Sequence, residues 1–137
     1  RDIIIYGMSL GSHMASNAAV RMQAEQPFAA GAVEVPFDTL PNVAADKVKV
    51  PLPLSFLMRG HLYDNLALVG RIKSPLLVMG GNADALIPIA LAKNLYEHAQ
   101  EPKKTIIYPY GTHNDLYRFR NYEDMMSWLE KNEKGIK

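Results

Sequence analysis

Cysteine is absent from the 137-residue chain, which excludes a disulfide scaffold, a thiolate metal site and a cysteine nucleophile. The compartment stays open. No excess of one charge sign exists either, because 15 basic side chains stand against 14 acidic ones for a net charge of +1. The basic residues come in pairs rather than in a stripe, so no nucleic-acid partner is expected. Apolar runs are short, and none approaches the ~20 residues of a membrane-spanning helix. An initiator methionine is missing: the chain opens on Arg1, and a strand-like run begins two residues later. No signal peptide is legible, and the native N terminus is expected to lie upstream. What remains is 48% hydrophobic and 21% charged, the make-up of an ordinary globular domain, and by length of one domain only.

Four short apolar runs rich in β-forming residues punctuate the chain: Ile3 to Tyr6, Ala29 to Val33, Leu76 to Met79, and Thr105 to Tyr108. Each is continuous rather than alternating, which suits strands buried on both faces of a parallel sheet. Helical patterns lie between them. Met14, Ala18 and Met22 recur at every fourth position before Pro27, and Ile87, Leu91 and Leu95 do so with Pro88 placed as a first helical residue. Asn121 is placed to cap a last helix whose Tyr122, Met125, Met126 and Leu129 share one face. Alternating strands and helices predict an α/β domain with right-handed crossovers. One interval is too long for a plain crossover. Its first part, from Pro36 to Gly60, reads as an excursion over the sheet, either a connector or a small cap over a pocket. Asp64 then caps a short helix through Leu66 and Val69.

The strongest chemical signal is Gly7-Met8-Ser9-Leu10-Gly11, a G-x-S-x-G directly after a predicted strand and directly before a predicted helix. A serine on such a turn is strained, and its hydroxyl projects from the carboxyl end of the sheet. Gly7 and Gly11 are expected to remove Cβ atoms where strand and helix would collide. The N–H of Leu10, at the helix start, faces developing negative charge. A serine hydroxyl needs a base, and the base an orienting carboxylate. Of four histidines, His13, His61 and His98 read as solvated or packed side chains. His113 sits in the loop after the last predicted strand, and Asp84 in the loop after the strand before it. Asp64 and Asp115 are rival acids; the first reads as a helix cap, the second as a brace for the histidine loop. No H-E-x-x-H spacing and no phosphate-binding glycine loop is present, so neither a metal nor a cofactor is expected.

These segments together resemble the α/β-hydrolase superfamily of serine hydrolases, and within it the Bem46-like branch. Ile3-Ile4-Ile5-Tyr6 with Gly7-Met8-Ser9-Leu10-Gly11 is similar to that branch's nucleophile strand and elbow. Val33-Glu34-Val35-Pro36-Phe37-Asp38-Thr39-Leu40 is similar to its next strand and cap start. Arg71 to Val78 followed by Gly81-Asn82-Ala83-Asp84 resembles its acid strand, and Gly111-Thr112-His113-Asn114-Asp115-Leu116 its histidine loop. The resemblance implies a mostly parallel sheet flanked by helices, with Ser9 as nucleophile, Asp84 as acid and His113 as base. It implies a carboxylic ester or thioester substrate and no cofactor; a peptidase or amidase with the same three residues is the alternative.

The family's earlier strands and helices have no counterpart here, so residues 1–137 are expected to be the C-terminal portion of a single hydrolase domain. Leu10 then supplies one oxyanion donor of two. Leu52, Leu54, Phe56, Leu57 and Met58 of the excursion are candidates to line an acyl pocket. The Ile3–Tyr6 strand, interior in the full sheet, is expected to expose an edge that self-associates or pairs with the missing half. On that view a catalytically incompetent fragment acting through association is a further alternative.

Overall fold

The computed structural model describes residues 3–25, 28–48 and 63–133. Four parallel strands, β1 (Ile4–Met8), β2 (Ala30–Glu34), β3 (Leu76–Gly81) and β4 (Lys103–Tyr108), form one sheet in the order β1-β2-β3-β4. Their register aligns Ile4 with Ala30, Gly31 with Leu76, and Leu76 with Lys103. Parallel neighbours need a crossover. Helix α1 (Leu10–Met22) connects β1 to β2; α2 (Leu40–Val48) and α3 (Asn65–Val69) lie between β2 and β3. Helix α4 (Ile89–His98) connects β3 to β4, and a 3₁₀ turn (Leu116–Phe119) then leads into α5 (Asn121–Glu133).

The two-residue period of a strand splits the core between the faces of the sheet. Ala30, Ala32, Leu77 and Met79 pack with Trp128 and Leu129 of α5. Val33, Leu76 and Val78 pack the opposite way, on Val69 of α3 and Ala92 and Leu95 of α4. Ala19 of α1 closes that second side with Phe28 and Ile72. Leu77 is fully enclosed, so Leu77→Ala costs about 2–5 kcal/mol.

Burial on both faces holds for β2 and β3, in which every residue is buried. The outer strands differ: β1 and β4 are mostly half-buried, because each borders one described strand instead of two. Two helix expectations also need correction. In α5 it is Trp128 and Leu129 that are buried, while Tyr122 and Met126 are exposed. Asn121 is the first residue of that helix, and its amide donates across the fold to Glu34 Oε2 at 2.8 Å.

The excursion after β2 is clipped together at its base. Thr39 and Asp64 form an antiparallel bridge, and Asn65 N–H donates to Asp38 O at 2.9 Å. Asp64 caps α3 by accepting from Ala67 N–H at 3.0 Å. The expected acyl-pocket residues Leu52, Leu54, Phe56, Leu57 and Met58 lie outside the described residues, as does His61.

Candidate active site

Ser9 occupies the turn between β1 and α1 with φ 52° and ψ −121°, a conformation that costs a non-glycine residue about 1–3 kcal/mol. Hydrogen bonds hold it there. Its N–H donates to Glu34 O at 2.9 Å, and its carbonyl accepts from Ser12 N–H at 2.9 Å. Gly7 makes the tight packing of β1 on α1 possible: a Cβ there would stand 2.7 Å from Ala15 Cβ and overlap the Gly11 carbonyl. The expectation for Gly11 is corrected, since a Cβ at that position meets open space. Its backbone is what Gly7 must clear. Leu10 begins α1, and among the described residues its N–H has no backbone partner. It belongs to the unpaired first turn of the helix, whose dipole favours negative charge.

The carboxyl ends of β3 and β4 approach so closely that a Cβ on Gly81 would stand 3.1 Å from Gly111 Cα. Ala83 N–H donates to Gly111 O at 3.0 Å, joining the two loops that follow these strands. Asp84 and His113 ride on those loops. Asp84 Oδ1 accepts from Leu86 N–H and Ile87 N–H, both at 2.8 Å. Its Oδ2 lies 2.8 Å from His113 Nδ1, and the His113 Nε2 lies 2.9 Å from Ser9 Oγ. A carboxylate only accepts, so Nδ1 carries the proton and Nε2 is left to accept from the serine hydroxyl. The side chains of Asp84 and His113 are 2% and 11% exposed.

Asp115 braces the histidine loop. Its Oδ1 accepts from Thr112 N–H at 2.6 Å and its carbonyl from Arg118 N–H at 3.0 Å. The Thr112 backbone and hydroxyl hydrogen bonds hold its carboxyl below the ordinary 3.8. The remaining described histidines are engaged elsewhere: His13 Nδ1 donates to Asn65 Oδ1 at 3.0 Å, and His98 Nδ1 to Asn94 O at 2.8 Å. An apolar cavity beneath α1, lined by Ile5, Ala19, Phe28, Gly31 and Leu76, includes none of Ser9, Asp84 and His113. Among the described residues no cluster of three or more His, Asp or Glu side chains is placed to hold a metal ion, and no helix is long and apolar enough to cross a membrane.

Three further polar residues are buried, two of them, Glu34 and Asp38, within the segment that resembles the branch's next strand and cap start. Asp38 accepts from Thr39 N–H, Asn42 Nδ2 and Asn94 Nδ2, tying the excursion to α4. Asn65 donates to Phe37 O at 2.8 Å. Glu34 accepts from Tyr6 Oη at 2.6 Å and from Asn121.

No family model matches the chain. Two uncharacterized proteins of Mycobacterium tuberculosis, from two strains, are each 35% identical over 114 residues, covering 82% of this chain and 38% of the relative. The chain thus spans little more than a third of the curated relatives it matches. Among solved structures, the Pyrococcus horikoshii acylaminoacyl peptidase superposes with a TM-score of 0.70 at 20% identity, over 96% of this chain and 24% of that one. The esterase domain of a Rhodothermus marinus protein does so with a TM-score of 0.72 at 17% identity, over 95% and 61%. The sheet order, the flanking helices and these likenesses identify part of an α/β-hydrolase fold.

Proposed function

We propose that the chain is the nucleophile-bearing, C-terminal portion of a serine hydrolase domain that cleaves carboxylic esters or thioesters through an acyl-enzyme. The observation that carries this reading is the unbroken hydrogen-bonded path from Asp84 through His113 to Ser9, at 2.8 and 2.9 Å. Likeness in fold to an esterase domain and a peptidase supports it. Ser9 Oγ attacks the acyl carbonyl while His113 Nε2 takes its proton, and Asp84 fixes the imidazole tautomer and stabilises the cation that forms. The Leu10 N–H donates to the oxyanion. His113 then returns the proton to the leaving group, and a water activated by the same nitrogen releases the acyl group.

In this reading Leu10 supplies one oxyanion donor, and the second would come from elsewhere in the whole protein. Lacking one such donor typically costs about 2.7–4 kcal/mol of transition-state stabilisation, so on this reading the chain by itself should turn over slowly. The same three residues serve a peptidase equally well, and the fold likeness to an acylaminoacyl peptidase favours keeping that second reading. A fluorophosphonate probe tests the nucleophile: it should modify Ser9 in the chain and leave Ser9→Ala untouched. Undiminished labelling of Ser9→Ala would sink the assignment. A panel of matched esters, thioesters and anilides then separates the esterase from the peptidase.

A further inference from the structure

Glu34 is 4% exposed, and burying a carboxylate is costly unless hydrogen bonds compensate. Two donors converge on its Oε2: the Tyr6 hydroxyl of β1 at 2.6 Å and the Asn121 amide of α5 at 2.8 Å. The main-chain carbonyl of the same residue accepts the Ser9 N–H at 2.9 Å. One residue therefore holds the elbow through its backbone and, through its side chain, both β1 and the start of α5. That helix follows the loop that carries His113 and the 3₁₀ turn after it.

Backbone strain gathers around the same junction. The non-glycine residues at positive φ are Ser9, Val35, Tyr63 and Arg120, at 52°, 43°, 56° and 62° among the described residues. Ser9 is bonded to Glu34, Val35 follows Glu34 directly, and Arg120 precedes Asn121 directly. Val35 is β-branched, for which such a φ is a genuine outlier. Strain of this kind persists only where the surroundings over-determine it, and it gathers at functional sites. Burial, followed by the hydrogen bond and charge of Glu34, pushes the Tyr6 phenol far above its ordinary range.

We infer that the Glu34 carboxylate is a positioning residue for the nucleophile, which through Tyr6 and Asn121 sets Ser9 against His113. This rests on Ser9 being the nucleophile. Removing the carboxylate leaves the buried Asn121 amide and the half-exposed Tyr6 hydroxyl without their shared acceptor and lets the elbow relax, so the chemical step slows while recognition of a small probe is kept. Glutamine keeps an acceptor oxygen in the same place and should restore much of the rate.

The experiment is Ser9 phosphonylation by a fluorophosphonate in the 137-residue chain, resolved into a maximal rate and a half-saturating probe concentration. Circular dichroism checks the fold of each variant. Glu34→Ala should lower the maximal rate about tenfold or more, as loss of a hydrogen bond to a charged group predicts, and leave half-saturation within about twofold, while Glu34→Gln recovers most of it. Tyr6→Phe removes one hydroxyl from a half-exposed position and tests the same link if Glu34→Ala does not fold; its maximal rate should fall severalfold. Parental rates in folded Glu34→Ala or Tyr6→Phe overturn the inference, as does a Glu34→Gln variant no faster than Glu34→Ala. A parent chain that does not label at Ser9 overturns the nucleophile reading instead, and the role of Glu34 with it.

Discussion

His113 Nε2 lies 2.9 Å from Ser9 Oγ although 104 residues separate them in the chain. The two are presented by the ends of β1 and β4, the outer strands of the sheet, and the Asp84 loop after β3 closes the arrangement. If the proposed function holds, with Asp84 orienting the imidazole and selecting its tautomer, Asp84→Asn should lower kcat about 10³–10⁴-fold with the fold intact. His113→Gln should abolish turnover, and His98→Gln should leave it unchanged, since His98 is engaged with Asn94 O of its own helix. Ester hydrolysis by purified variants reads all three.

The two elbow glycines should respond oppositely to a methyl group. Gly7→Ala drives a Cβ into Ala15 and the Gly11 carbonyl and should destabilise the chain by about 1–3 kcal/mol or more. Gly11→Ala places its methyl in open space within α1 and should stabilise by about 0.5–1 kcal/mol through helix propensity. Urea unfolding of both variants decides the matter. Equal stability would mean that strand and helix do not meet at Gly7.

Alkaline pH should weaken the fold through two phenols. Burial and then a hydrogen bond to Glu34 raise the Tyr6 phenol above 10.0, and burial and then Asp124 do the same for Tyr108. In the unfolded chain both ionise near pH 10 while the folded chain keeps their protons, so the unfolded state gains on raising pH. The stability these groups contribute is fully present below about pH 10 and is lost above it. Urea midpoints at pH 9 and pH 11 should therefore diverge, and the divergence should shrink in Tyr6→Phe/Tyr108→Phe.

The free edge of β1 leads to the last expectation. Among the described strands β1 pairs only with β2, and Tyr6 and Leu10 are exposed beside it. Unpaired strand edges template association. The isolated chain should sediment as a dimer or larger species, through β1 or through a partner that supplies the neighbouring strand. A monodisperse monomer across a wide concentration range would refute this.

Much of this molecule is legible without coordinates because the signals involved are local. The apolar runs at Ile4, Ala30, Leu76 and Thr105 mark strands, since a buried parallel strand tolerates few polar side chains. The G-x-S-x-G between a strand and a helix marks the elbow, and loops directly after strands mark where Asp84 and His113 emerge. What sequence does not determine is which side chains meet across the sheet. The carboxylate of Glu34 finding Tyr6 and Asn121, 28 and 87 residues away, depends on strand order and on where α5 docks. Asn121 has the composition of a cap, yet buried Glu34 offers its amide a charged acceptor, and a charge-assisted hydrogen bond outweighs a helix cap. Gly7 and Gly11 look alike in the motif, and only the packing of α1 on β1 makes the first indispensable and the second free. Local preference names the elements; desolvation and the sheet's geometry decide their partners.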